Sequence, residues 1–150
     1  MCKLISRGFT LVEIMIAVAV IGGLAAVVAP SLTMARAEAN LSTCIQNEKN
    51  IVSACQMYLA KEGIPDNTFT DFDVLLDGSY LKKIPSCPAG GDGYGIMIYG
   101  RDNTTMKASV GDCFVYCSGD AHKSLGYATN FPAVDAHGRV HQTHSDMMSP

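Results

Sequence analysis

Residues Ile14 to Ala35 read IMIAVAVIGGLAAVVAPSLTMA, a run of 22 residues that no charge interrupts. A helix needs about 20 apolar residues to cross the hydrocarbon core of a bilayer. Lys3 and Arg7 precede the run, and no acid stands with them before Glu13. Cations on the N-terminal flank hold that end in the cytoplasm and send the rest of the chain across the membrane. A secretory signal peptide also begins with basic residues, but its apolar core is only about 7–15 residues and ends at a small-residue cleavage site. An Ala-x-Ala pattern does occur at Ala35-Arg36-Ala37, but its middle residue is charged. From Arg36 onward the chain is polar and mixed. The plan is therefore one membrane helix followed by one soluble domain.

Composition supports that plan and removes others. The chain has 150 residues, of which 48% are apolar and 17% charged. Charged residues normally make up about a quarter of a soluble domain, so extended disorder is excluded. The net charge of −3, from 11 basic and 14 acidic residues, argues against nucleic acid as a direct partner, because such a partner selects a basic surface.

Glu13 breaks the apolar character of the first turns. A carboxylate inside a bilayer costs several kcal/mol unless it reaches water or a cation. Cutting the chain after Gly8 would supply a cation, because Phe9 would then carry a free amine. Arg7-Gly8-Phe9-Thr10-Leu11-Val12-Glu13, ahead of an apolar helix and behind a short basic leader, resembles the class III signal of type IV pilins and of the pseudopilins of type II secretion. The resemblance implies that a prepilin peptidase cuts between Gly8 and Phe9 and that Phe9 is N-methylated. It also implies that Glu13 pairs with the N-terminal amine of a neighbouring subunit in a fibre. Pro30 falls where such helices kink; proline removes one helix hydrogen bond and clashes with the preceding turn, and Gly22-Gly23 softens the helix nearby. Cleavage would remove Cys2, Lys3 and Arg7, taking the net charge of −3 down by the two lost cations to −5.

No Pro or Gly occurs from Met34 to Lys61. Leu41, Cys44, Ile45, Ile51, Val52, Cys55, Tyr58 and Leu59 recur at spacings of three and four, which marks one face of a helix. Glu48 falls in this stripe and is expected at its edge. Gly63 and Pro65 end the pattern. A helix from Phe9 to Glu62 is expected, about 80 Å long at 1.5 Å per residue. Its first half spans the membrane, and its second half presents the stripe to the soluble domain.

Beyond a linker at Ile64–Phe69, Thr70 and Asp71 open a short helix that stops at Gly78. Tyr94–Tyr99, Lys107–Val110 and Cys113–Cys117 read as strands, with Gly126–Ala128 a possible short fourth. Past Ser118 the sequence is rich in Gly, Asp and His and weakly periodic, and the globular domain is expected to carry a polar tail. The fold class expected is α+β, a small antiparallel sheet packed on the helix stripe. Its expected divisions are a leader over 1–8, a membrane and fibre-core helix over 9–35, its amphipathic continuation over 36–62, and a globular domain over 63–150. Residues Leu75–Gly91, with Tyr80-Leu81-Lys82-Lys83-Ile84-Pro85 leading to Cys87-Pro88-Ala89-Gly90-Gly91, resemble the body of major-pseudopilin-like proteins. Cys117-Ser118 with His122 resembles the second half of that pattern. The same resemblance implies the lollipop shape of pilins.

Cleavage would leave five cysteines, Cys44, Cys55, Cys87, Cys113 and Cys117. An odd number leaves at least one outside intrachain disulfides, which an oxidising compartment permits. Cys44 and Cys55 are separated by about 16 Å along a helix, too far for a bond that needs Cα atoms within about 7 Å. Cys113 and Cys117 lie roughly 13 Å apart on a strand. The family pattern implies Cys87 with Cys117. Cys55 with Cys113, tying sheet to helix, is the second candidate pair, and Cys44 reads as a buried thiol. Zinc is not expected, because Cys113-x3-Cys117 is not the usual two-residue knuckle and no second close pair exists.

His137, His141 and His144 cluster late in the chain, but Gly138 argues against the helix that would align the first two, so they read as a solvated tail. Asp102, Asp112, Asp120 and Asp135 read as loop residues. The pseudopilin resemblance allows a calcium site in this region, with no ligands assigned; no other cofactor is expected. No nucleophile–base arrangement or phosphate-cradling loop occurs, so no catalysis is expected.

The reading is a structural subunit of a type IV pilus-like filament, anchored by a single pass in the bacterial inner membrane with its C-terminal domain in the periplasm before assembly. Its partners would be further copies of itself, minor pilins, the prepilin peptidase and the inner-membrane assembly platform. A type II secretion pseudopilin is the first subclass, and a pilin of a surface or DNA-uptake pilus the second. From a different class, the alternative is a membrane-anchored periplasmic binding module whose His-rich tail holds a metal.

Overall fold

A computed structural model describes residues 8–101 and 111–143. They fall in two compact units divided between Arg36 and Ala37. Helix α1, Leu11–Glu62, runs through both. Within the first unit, the helix is long and apolar enough to cross a membrane, and its residues from Leu11 to Val28 are all exposed. Large apolar side chains on every face of a helix belong in lipid or among similar helices.

The second unit has a conventional core. Helix α1 is followed by α2 (Asp73–Asp77) and by strands β1 (Tyr94–Ile98), β2 (Cys113–Cys117), β3 (Ala133–Asp135) and β4 (Val140–His141). The strands form one antiparallel sheet in the order β1-β2-β3-β4. Alternation sets which face is covered. Tyr94, Ile96 and Ile98 of β1 are buried, as are Cys113, Val115 and Cys117 of β2. They share one core with Cys44, Ile51, Val52 and Cys55 of α1 and Leu75 of α2. Each large apolar side chain buried this way contributes about 1.5–3 kcal/mol, so the stripe on α1 is what anchors the sheet.

The expected α+β class, long helix and antiparallel sheet are all present. Four local expectations are corrected. Glu48 is not at the edge of the stripe; its side chain is fully buried, because it lies one turn from Cys44 on the same helix face. Gly126–Ala128 is not a strand: Gly126 closes a 3-10 turn, Lys123–Leu125, with φ at 89°. The weakly periodic segment past Ser118, whose pattern announces no strand at these positions, supplies β3 and β4, with Phe131, Ala133 and Val134 buried. Asp135 belongs to β3 rather than to a loop. The strand expected at Lys107–Val110, and the positions Asp102 and His144, lie outside the described residues.

Candidate functional site

Two sets of residues carry candidate function. The first is at the head of α1. Thr10 caps the helix. Its N–H and its hydroxyl both donate to Glu13 Oε2, each at 2.8 Å, and the Glu13 N–H donates back to Thr10 Oγ1 at 3.3 Å. This is the reciprocal capping box, Thr-x-x-Glu, that satisfies the orphan N–H groups of a first turn. The sequence carries its signature in Thr10-Leu11-Val12-Glu13, a local use of Glu13 that an account of its charge alone leaves out. Phe9 is exposed. A Cβ added to Gly8 meets nothing within 4 Å, so the fold places no steric demand for glycine there. Helix α1 continues through Pro30.

The second set is inside the globular unit. Cys44, Cys87, Cys117 and His122 converge there, all buried, with their sulfur and nitrogen atoms within 4.8 Å of one another. Cys87 Sγ is 3.5 Å from Cys117 Sγ and 3.8 Å from His122 Nε2. Each comes from a different element. Cys44 is the first buried residue of the α1 stripe. Cys87 opens a turn, with the Gly90 N–H donating to its carbonyl at 3.2 Å; Pro88 presets φ at the first central position of such a turn. Cys117 ends β2. His122 precedes the 3-10 turn. Gly91 lets the Cys87 turn close against the Cys117–His122 loop: a Cβ there would stand 2.9 Å from the Ser118 carbonyl oxygen and 3.1 Å from Ala121 Cβ.

The electrostatics of this pocket follow from burial. The hydrogen bond with Cys117, then burial, pushes the Cys44 thiol well above its ordinary value. Burial lowers the His122 value, which favours a neutral imidazole. Glu48 Oε1 accepts from Cys44 Sγ at 3.6 Å, and Glu48 Oε2 is buried with no hydrogen-bond partner among the described residues. Burial first, and the Cys44 thiol second, push the Glu48 carboxyl up to about 10.

The candidate disulfide residues are thus sorted by the fold. Cys87 and Cys117 are neighbours, and Cys44, read as an isolated buried thiol, has joined them. Cys55 and Cys113 are hydrogen-bonded to each other, and this contact together with burial raises the Cys55 thiol. All five are free thiols.

The histidine-rich segment is not one cluster. His137 is exposed, whereas His141 is buried in β4 and its Nε2 lies 3.3 Å from Asp135 Oδ2. Asp135 also accepts from the N–H groups of His137 and Arg139, each at 2.9 Å, and from Arg139 Nε at 2.6 Å. Burial alone would raise the Asp135 pKa; the hydrogen bonds from Arg139, His141 and His137 outweigh it and hold the carboxyl below its ordinary value. His141 is a structural partner of the β3–β4 turn, not part of a solvated tail.

Comparison with known proteins speaks to the first set. Residues 5–29 match the prokaryotic N-terminal methylation motif. The chain is 30% identical to fimbrial protein EcpC of Eikenella corrodens, over 62% of each chain. It is 30% identical to the type IV major pilin protein PilA of Myxococcus xanthus, over 77% of this chain and 43% of that protein. It is 35% identical to the type IV wide pilus major component of Thermus thermophilus, over 54% of this chain and 59% of that protein. The match covers less than two thirds of each relative's length. No solved structure matches significantly.

Proposed function

We propose that this chain, whose methylation motif and similarity to pilus proteins support a pilin-like reading, is cut after Gly8, methylated at Phe9 and assembled through α1 into a pilus-like filament. One observation carries the reading: the matched motif sits on a helix whose apolar residues from Leu11 to Val28 are all exposed. Such a surface is stable in a bilayer or among identical helices, and moving from the first to the second is the assembly step. Glu13 sets the register. Its capping box satisfies the helix terminus, and the cationic amine of a neighbour's Phe9 neutralises its charge inside the bundle. A bend at Pro30 belongs to the same account. Before assembly the chain is held by a single pass with residues 37–150 on the periplasmic side, and its partners are further copies, minor pilins, the peptidase and an assembly platform.

All three relatives are pilus components by name, and this favours a surface pilus over the type II pseudopilus suggested by the Cys-Pro body. Shearing cells and separating released fibres from membranes tests the choice. The surface-pilus reading expects the mature chain in the sheared fraction; its confinement to membranes in cells that secrete normally would favour the pseudopilus.

A further inference from the structure

We propose that Cys44, Cys87, Cys117 and His122 form a tetrahedral Zn2+ site that ties α1 to the sheet and to the two loops that carry Cys87 and His122. The inference is independent of filament assembly.

Geometry carries it. Zinc takes thiolates at about 2.3 Å and imidazole nitrogen at about 2.0–2.1 Å, so a tetrahedron places its sulfurs about 3.8 Å apart and sulfur and nitrogen about 3.6 Å apart. The Cys87–Cys117 separation is 3.5 Å and the Cys87–His122 separation 3.8 Å, and all four ligand atoms fit within 4.8 Å of one another. Three sulfurs and one nitrogen are the ligand set of a closed structural zinc site, and soft thiolates select against calcium and magnesium. All four side chains are buried, so the set is complete without water. His122 presents Nε2 to Cys87 Sγ, an orientation that suits a ligand.

Two features outside the four ligands agree. Glu48, fully buried, points one carboxyl oxygen at Cys44 and leaves the other without a partner among the described residues. With the Cys44 proton displaced by the metal, a protonated Glu48 carboxyl would be the donor in this contact and orient the thiolate from behind. The cysteine count also resolves. The five cysteines other than Cys2 cannot all form disulfides with one another, but three on the metal and two, Cys55 with Cys113, in mutual contact leave none of the five single.

Loading balances simply. Zn2+ displaces three thiol protons, which pass to solvent, and accepts the lone pair of neutral His122. The loaded centre carries one net negative charge, with no change of oxidation state. A Cys87–Cys117 disulfide is the exclusive alternative, since those sulfurs cannot serve both.

The test uses the full chain in detergent, purified from zinc-replete cells without chelator or reductant, with an aliquot alkylated at lysis to preserve any native disulfide. Elemental analysis should find about one zinc per chain, and exchange to Co2+ should produce thiolate charge-transfer and tetrahedral ligand-field bands. Stripping the metal should lower the melting midpoint by at least about 10 °C. Cys44→Ser and His122→Ala should lose the metal, while Cys55→Ser should retain it. The wild-type measurements need no variant to fold. Metal-free wild-type protein, a Cys87–Cys117 disulfide in the protein as isolated, or bound Co2+ without thiolate bands would each overturn the proposal.

Discussion

Thr10 and Glu13 hold each other at the head of α1: both donors of Thr10 converge on one oxygen of Glu13, 2.8 Å from each. The carboxylate therefore has a local structural use as well as a proposed intermolecular one, and the two can be separated. Glutamine preserves a capping box but carries no charge. We expect Glu13→Gln to insert in the membrane normally and to lower fibre yield by at least about tenfold, since an unpaired charge relation in apolar surroundings involves several kcal/mol. Quantitative immunoblotting of sheared and membrane fractions reads this. Wild-type fibre yield would sink the charge-pairing account and leave Glu13 as a cap.

Gly8 lies in open space, so the fold accepts a side chain there. Gly8→Glu should leave the globular unit unchanged and block cleavage, which mass spectrometry of the intact chain reads directly. A mature chain beginning at Phe9 in this variant would show that the peptidase does not need the glycine.

Asp135 accepts four hydrogen bonds at the β3–β4 turn, two from Arg139 and one each from His137 and His141. Hydrogen bonds to a charged group are worth about 1.5–3 kcal/mol each, and Asp135→Asn should cost about 2–3 kcal/mol overall. The carboxyl is held below its ordinary value, so the unfolded chain binds a proton more readily. The stabilisation is complete above the unfolded pKa of 3.8 and disappears as pH falls through the lower folded value. Urea melts from neutral pH to strongly acidic pH should show this loss in the wild type and a shallower one in Asp135→Asn; parallel curves would contradict the assignment.

Cys55 and Cys113 join α1 to β2 from the two sides of the core. In an oxidising compartment they should link to each other and to no other cysteine. The loop they would close, from 55 to 113, is worth about 4 kcal/mol in the chain-entropy model. Non-reducing peptide mapping checks the partner, and either residue crosslinked to Cys44, Cys87 or Cys117 would refute the sorting.

Legibility in the sequence followed the range of the interactions involved. The membrane helix, its amphipathic continuation and strands β1 and β2 are periodic patterns of local residues, and periodicity exposes them. Strands β3 and β4 are only three and two residues long, too short for any period to show. Glu48 was misplaced because a buried carboxylate contradicts the residue-type rule; only the three-dimensional neighbours Cys44 and Cys117 account for it. The Cys44–Cys87–Cys117–His122 cluster was illegible for the same reason. Its members lie 43, 30 and 5 positions apart, with no close pair of the kind that announces zinc, whereas the nearest cysteine spacing, Cys113 to Cys117, spans one strand and points its members to different clusters. The Thr10-x-x-Glu13 box was local and could have been read.

The central claim is maturation into an assembling pilin, and the identity of the first residue tests it most directly. Mass spectrometry of the chain isolated from cells with an active prepilin peptidase should find N-methylated Phe9 as the N-terminus. A chain still beginning at Met1 in those cells would contradict the account and leave α1 as a membrane anchor alone.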